Sequence, residues 1–487
     1  MTAEPSAPLL QALLSRHPEL HLLPASAGHD ALLPYEQDWR KRYRGQALAV
    51  AFPTSTAQIQ SIVQLCADFN VSIVPQGGNT SLVGGSVPDC SQSQLVLNLT
   101  RMNRIRQIDP ANLSITVEAG CTLQQVQDAA LDAGLFFPLS LASEGSCTIG
   151  GNLATNAGGT QVLRYGTARD LCLGVEAVTA SGQVIHALKS LRKDNTGYDI
   201  KNLLIGSEGT LGILTQASLR LYPRPRTQQA ALLTCPDLAC AVKLLAHAQS
   251  QLDSALTGFE VMHQDAIRLA QQHMSTQARA ADALMSTAAS AVQPEWLILL
   301  DASSPQSAEA LQQSIENTIQ HAMDQGWVGQ AQLSMSHTQY RTMWQLRETI
   351  PMAEKIEGLM VKHDIAVPTS AVPAFASRCH AALHQAFPGC RIVCFGHLGD
   401  GNLHYNVQGP REMPDDAFLQ SHEAEVNRIV YDLVEQYQGT ISAEHGIGQL
   451  KKLELAERAD PARLQWMRLI KQALDPGNRL NPGRLVD

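Results

Sequence analysis

The spacing of apolar positions divides the chain into three stretches. Residues 1–45 open with a Leu-rich segment, Met1 to Pro24, and read as a helical lead-in. Over residues 46–225, short β-branched runs alternate with glycine-rich connections. Val71–Val74, Leu95–Leu99, Ser114–Val117, Val175–Thr179 and Gly212–Thr215 are bounded by turn residues and predict strands. The two prolines of Leu221-Tyr-Pro-Arg-Pro-Arg226 deny ladder donors, so a domain boundary is placed there. From 236 to 330, Ala- and Gln-rich helical patterns alternate with strands such as Trp296–Leu300, and the pattern recurs to the end, which predicts helices on an antiparallel sheet and a C-terminal helical segment over 226–487, an α+β arrangement.

A length of 487 residues suits roughly three units at about 150 residues each. The net charge of -9 argues against nucleic acid or an anionic lipid surface as partner. Ten scattered cysteines without a Cys-x-x-Cys argue against a structural zinc or iron–sulfur site and for reduced thiols in the cytoplasm. The N-terminus lacks the basic region of a targeting peptide, and no apolar run approaches the roughly 18 residues of a membrane span.

Three glycine-rich segments change the picture. Pro75-Gln-Gly-Gly-Asn-Thr-Ser81 with Gly84-Gly85 follows a predicted strand and can turn several N–H groups toward an anion, pyrophosphate being the obvious one. A tight turn between strands explains the same residues equally well. The loop lacks the Lys-Ser/Thr ending of a P-loop and the spacing of the dinucleotide fold. The second segment runs from Glu144 to Gly159 and is followed by Arg164-Tyr-Gly166; the third is Gly206 to Ile213. Both let main chain approach a flat ligand closely, and three such segments in one domain imply one large cofactor.

In this order, with Asp194-Asn-Thr-Gly-Tyr-Asp199 between the last two, the segments resemble the FAD domain of the vanillyl-alcohol oxidase / p-cresol methylhydroxylase superfamily (PCMH-type). Within it, the resemblance is closest to the FAD-linked D-2-hydroxyacid dehydrogenases, first those acting on D-2-hydroxyglutarate, beside D-lactate dehydrogenases and the glycolate oxidase flavoprotein subunit. It covers about residues 45 to 487. It implies a two-subdomain PCMH-type FAD domain over 46–225 and a substrate and metal domain over 226–487. The cofactor residues it implies are Pro75, Gln76, Gly77, Gly78, Asn79, Thr80, Ser81 and Gly84 at the pyrophosphate, with Pro138, Glu144, Gly145, Ser146, Thr148, Gly150, Asn152, Thr155, Asn156, Gly158, Gly159, Arg164, Tyr165, Gly166, Glu208, Gly209, Ile213 and Asn481 around the remainder. No His occurs between Pro75 and Pro88, so FAD is expected to be noncovalent, and Cys147 is expected to be a buried thiol.

A second constellation reads from the residues themselves. In Phe395-Gly-His-Leu-Gly-Asp-Gly-Asn-Leu-His-Tyr-Asn-Val407, Asp400-Gly401 predicts a two-residue hairpin turn, which would set His397 directly opposite His404, with Asn406 on the same face. Glu444 of Ser442-Ala-Glu-His-Gly446 offers a third ligand, from a strand end entering a tight loop. Two imidazoles and a carboxylate suit zinc or another divalent metal. The resemblance places the same residues in the same order and leaves His445 as the base.

The chemistry then expected is oxidation of a D-2-hydroxy acid, D-2-hydroxyglutarate favoured, to the 2-oxo acid, with hydride passing to flavin N5 and the hydroxyl proton to His445. Arg347 and Lys362 match positions the family uses for substrate, with Asn406 beside them. One departure is Pro351, where the D-2-hydroxyglutarate enzymes carry a hydroxyl residue, so a D-lactate or glycolate enzyme stays open. Two further readings are a metal-dependent hydrolase using His397, His404, Glu444 and His445, and a non-redox use of FAD in the style of alkylglycerone-phosphate synthase. The electron acceptor, an electron-transferring flavoprotein or a quinone, is left open by the sequence, and the resemblance implies a homodimer.

Overall fold

The computed structural model describes residues 6–281 and 294–486; Met1 to Pro5 of the expected first helix and 282–293 of the alternating stretch lie outside the described residues. By contact the chain forms two compact units. One comprises Met1–Gly159, Gly166–Arg224 and Glu444–Asp487, the other Thr160–Tyr165 and Pro225–Ala443. The division at 224/225 falls within the two-proline segment.

In the first unit, strands Ala47–Phe52, Gln94–Asn98 and Ser72–Gln76 pair in parallel. The helix Thr56–Asp68 makes the crossover, started by Ser55, whose Oγ accepts the Gln58 N–H at 3.3 Å. Its Ile59, Ile62, Val63 and Cys66 pack on Leu95 and Leu97, all buried. Each such aliphatic side chain contributes about 1.5–3 kcal/mol. A second sheet, in the order Ile105–Asp109, Ser114–Glu118, Ile213–Arg220, Cys172–Val178, Val184–Ala187, is antiparallel throughout.

Two stretches differ from the sequence expectation. The lead-in is not wholly helical: after the helix Ser6–Arg16, His21–Pro24 is a strand that pairs with Ala47–Phe52 and completes that sheet's edge. Residues 444–487, read in sequence with the second domain, return to the first unit. The Ile73 N–H donates to Arg479 O at 2.7 Å and the Asn481 N–H to Ile73 O at 2.8 Å, so the chain end is laid beside the strand that leads into the first glycine loop.

The second unit is built on a seven-stranded antiparallel sheet ordered Ala331–Leu333, Thr227–Cys235, Trp296–Ser304, Leu256–His263, Arg391–His397, Asn402–Gln408, Asp364–Ala366. One face, with Ala231, Leu233, Val261, Ile298 and Leu300, is covered by helices Leu238–Leu252, Ala308–Asp324, Val372–Ala386 and Asp415–Gln436. The other, with Leu232, Met262, Leu297, Leu299, Val393 and Phe395, is covered by Gln264–His273 and His337–Glu357. Burial on both faces is why Trp296–Leu300 is a continuous apolar run without alternation.

Candidate functional site

The face beneath helix His337–Glu357 turns from apolar to polar as it passes Phe395. Here the hairpin register departs from the sequence expectation. Leu398–Asp400 form a 3-10 turn and Gly401 adopts φ 77°, so the connection has four residues, not two. A type I′ turn would need Asp400 as well in the left-handed region, but the buried Leu398 pulls the loop into the core and the Asp400 carboxylate accepts the Asn402 N–H at 3.1 Å. A Cβ at Gly401 would lie 2.1 Å from Val367 O, so this corner admits only glycine. His397 therefore pairs with Asn402, and His404 lies opposite Phe395. The shift is by two residues, an even number, and both imidazoles stay on one face with ring centroids 5.9 Å apart.

Carboxylates that the sequence reading did not single out organise this face. Glu260, fully buried, accepts from His397 Nδ1 at 2.6 Å and from Arg347 Nε at 2.8 Å. Burial works to raise its pKa, but the charges of His397 and Arg347 and their hydrogen bonds outweigh it and hold the carboxyl below its ordinary value. Two turns along the helix from Arg347, buried Glu354 accepts from Lys362 Nζ and Asn406 Nδ2, each at 2.6 Å. Arg347 stacks on Phe395, 4.6 Å from the ring centre, and uses only Nε; its two Nη groups have no acceptor among the described residues. Asp364 stands opposite His404 in the neighbouring strand, their ligand atoms within 4.8 Å, and accepts from Asn402 Nδ2 at 3.0 Å. Glu260 was discoverable as an acid inside the apolar strand Leu256–His263, since a buried carboxylate must be paired.

Ala443, the last residue of the second unit, donates its N–H to Asp364 O at 3.3 Å, and the next peptide carries Glu444 into the first unit. There His445 Nε2 lies 3.6 Å from Glu444 Oε1, and the chain turns at Gly446 and Gly448, with φ 82° and 52°.

In the first unit the three glycine segments form neighbouring loops. A Cβ at Gly77 would lie 2.2 Å from Thr148 Oγ1 and one at Gly78 only 1.8 Å from Ser146 O, so the first loop rests directly on the second. Many polar side chains expected at the cofactor are used in building these loops. Gln76 donates to Tyr35 O and Ser86 O; Asn79, at φ 52°, donates to Pro34 O and Gln37 O. Thr148 caps the helix Ile149–Ala154, Glu144 accepts from Ser140 Oγ, Asn156 accepts the Arg169 N–H, and Asn481 donates to Gly85 O and Glu208 O. The N–H groups of residues 77–82, by contrast, have no acceptor among the described residues, and Asn481 Oδ1 is buried without a donor. A half-buried run of N–H groups with no acceptor among the described residues fits a pyrophosphate. Arg164 and Tyr165 belong to the second unit, where Arg164 Nη1 donates to Ser303 O and Oγ at 3.0 Å. Cys147 is buried, burial raising its thiol pKa, and the ten cysteines are free.

Among the described residues no helix is long and apolar enough to cross a membrane. A family profile described as an FAD binding domain matches residues 47–188, and one described as the C-terminal domain of FAD linked oxidases matches 224–485. The chain is 37% identical over 453 residues to a D-2-hydroxyglutarate dehydrogenase of Xanthomonas citri pv. viticola, covering 93% of this chain and 92% of the relative. It is 35% identical to a D-2-hydroxyglutarate dehydrogenase of Stutzerimonas stutzeri, covering 94% of each. The structure of p-cresol methylhydroxylase with substrate bound matches with a TM-score of 0.73 at 17% identity, over 100% of this chain and 98% of that one, which shows the PCMH-type fold.

Proposed function

The chain belongs to the FAD-linked oxidases, among the D-2-hydroxyacid dehydrogenases, and from that premise we propose that it oxidises D-2-hydroxyglutarate to the 2-oxo acid with the help of a divalent metal. It is an FAD-dependent oxidoreductase acting on CH–OH, which removes the hydrolase alternative. The observation that carries the substrate reading is Arg347: a buried guanidinium, oriented through Nε by Glu260, with no acceptor for either Nη group among the described residues. Such a fork suits a substrate carboxylate.

His397, His404 and Glu444 are proposed to hold the metal, with Asp364 beside His404. The Glu260–His397 hydrogen bond supports this reading, because a ligating imidazole commonly gives its other ring N–H to a carboxylate. A bound divalent ion would supply Lewis acidity toward the substrate hydroxyl. FAD, when bound on the glycine loops, supplies the hydride acceptor. His445 takes the hydroxyl proton, a role suited to an imidazole near neutral pH, and Arg347 and Lys362 hold the carboxylates. Reoxidation would need an external carrier such as an electron-transferring flavoprotein or a quinone, and the homodimer implied by the resemblance and the cytoplasmic setting expected from the sequence remain part of this reading.

Pro351 favours a second reading. It lies one helical turn beyond Arg347 and presents an apolar ring where a dicarboxylate enzyme would place a hydroxyl, which suits a small D-hydroxy monocarboxylate such as D-lactate. Anaerobic flavin reduction with a series of D-2-hydroxy acids separates the two. Faster reduction by D-lactate than by D-2-hydroxyglutarate would replace the first reading with the second.

A further inference from the structure

Glu208 lies in the third glycine segment, yet its carboxylate engages the chain immediately after Glu444 and His445. Oε1 accepts the Ile447 N–H and Oε2 the Gly448 N–H, each at 2.8 Å, and the side chain is buried. We propose that Glu208 is a positioning residue that fixes the backbone carrying Glu444 and His445 against the loops that cradle FAD. This rests on the reading of His445 as the base.

Glu208 is itself anchored, with φ 52°, its N–H on Ala154 O at 2.8 Å and its carbonyl accepting from Asn481 Nδ2 at 2.7 Å. A Cβ at Gly446 would lie 2.9 Å from Oε1, so the loop closes on the carboxylate only because residue 446 has no side chain. On the far side, the N–H groups of Gln449 and Leu450 donate to Val83 O, and Gln449 Nε2 donates to Gly84 O at 2.8 Å. Residues 446–450 are thus tied at one end by Glu208 and at the other by the loop proposed for the pyrophosphate. Burial pushes the Glu208 pKa up, opposed by the two N–H groups and by the charges of Lys451 and Arg484. The carboxylate has two oxygens for two donors, a match no neutral side chain reproduces: in Glu208→Gln the amide oxygen can accept one N–H, while the NH2 group faces the other donor.

The test uses FAD-loaded enzyme and Glu208→Gln, with Glu208→Asp and Gly446→Ala as variants that perturb the same contact from either side. Hydrogen exchange of the peptide 444–450 is read together with flavin content and anaerobic flavin reduction by D-2-hydroxyglutarate. Glu208→Gln is expected to retain flavin, to exchange about tenfold faster across 446–449, and to reduce its flavin about tenfold more slowly at saturating substrate, with KM within about threefold. Glu208→Asp should fall between it and the parent. Unchanged exchange overturns the clamp, and raised exchange with an unchanged reduction rate overturns its positioning role. If Glu208→Gln does not fold, Gly446→Ala decides by the same two readouts. Wild-type reduction by His445→Ala would remove the base reading alone, because the exchange of 446–449 does not depend on the imidazole.

Discussion

Replacing Glu260 by Gln perturbs one buried carboxylate with two donors, and the consequences for each can be worked out. The guanidinium of Arg347 can only donate, so the new amide oxygen turns to its Nε, and the NH2 group then faces His397 Nδ1. Nδ1 must become the acceptor, which moves the ring proton to Nε2 and removes the lone pair a metal would use. Affinity for a divalent metal should fall about 10–100-fold, the usual cost of losing such a supporting hydrogen bond. Stability falls as well. Deleting one partner of a buried ion pair costs about 3–5 kcal/mol. Gln keeps one hydrogen bond to Arg347, which recovers about 1–2 kcal/mol of that cost, so about 2–3 kcal/mol is expected. At about 2–4 °C per kcal/mol for a unit of this size, the melting point should drop by about 4–12 °C. Titration of the metal-free enzyme with Zn2+ beside a thermal melt checks both. Metal affinity within a factor of about two of the parent would refute the assignment of His397 to the metal, on the scale just given. An unchanged melt would show that Glu260 does not neutralise Arg347.

Other outcomes follow from the same geometry. Arg347→Met should raise KM for D-2-hydroxyglutarate by about 100-fold, since a charged hydrogen bond contributes about 1.5–3 kcal/mol; steady-state kinetics on purified variant check it. Gly78→Val should lose flavin, because the first atom of any side chain would fall 1.8 Å from Ser146 O, and the absorbance near 450 nm relative to 280 nm reads this directly. Asp301 is fully buried beneath Trp344, whose Nε1 donates to it at 3.2 Å, and burial raises its pKa. A raised carboxyl favours the folded state below the ordinary carboxylate range and loses that contribution as pH rises through the raised value. Asp301→Asn should therefore melt higher than the parent at pH 8 by a few degrees, roughly what 1 kcal/mol gives, with a smaller difference at pH 5. Chelation should abolish flavin reduction by substrate and leave reduction by dithionite intact; activity surviving complete metal removal would eliminate the metal from the mechanism.

How far the sequence anticipates the site depends on how local each cause is. His397 and His404 share a face because side chains alternate along a strand, and that inference survived a wrong turn type because the register moved by an even number of residues. The four-residue connection itself was hidden, since it follows from Leu398 being drawn into a core assembled from distant helices. Glu260 lies 137 residues from His397 in sequence, and only the neighbouring of strands Leu256–His263 and Arg391–His397 joins them. Asp364 and Glu354 are of the same kind, acids whose partners come from other elements.

The glycine segments show the complementary case. Their backbone role was readable from composition, because glycine at close approach leaves its signature in sequence, as at Gly78 against Ser146. The resemblance implies a place at the cofactor for their polar side chains, and in the structure Gln76, Asn79, Glu144, Asn156 and Glu208 bond to the protein's own chain. A loop that must present N–H groups outward cannot satisfy itself through backbone ladders, so its side chains take over the internal bonding and leave residues 77–82 with donors to offer. On that argument, Asn79→Ala should weaken FAD binding through loss of its bonds to Pro34 O and Gln37 O, without any direct contact to the cofactor. Two hydrogen bonds at about 1 kcal/mol each predict roughly a 30-fold rise in the FAD dissociation constant if both are needed to hold the loop. Added FAD should then restore full activity, whereas a variant defective even at saturating FAD would point instead to a direct catalytic part for Asn79.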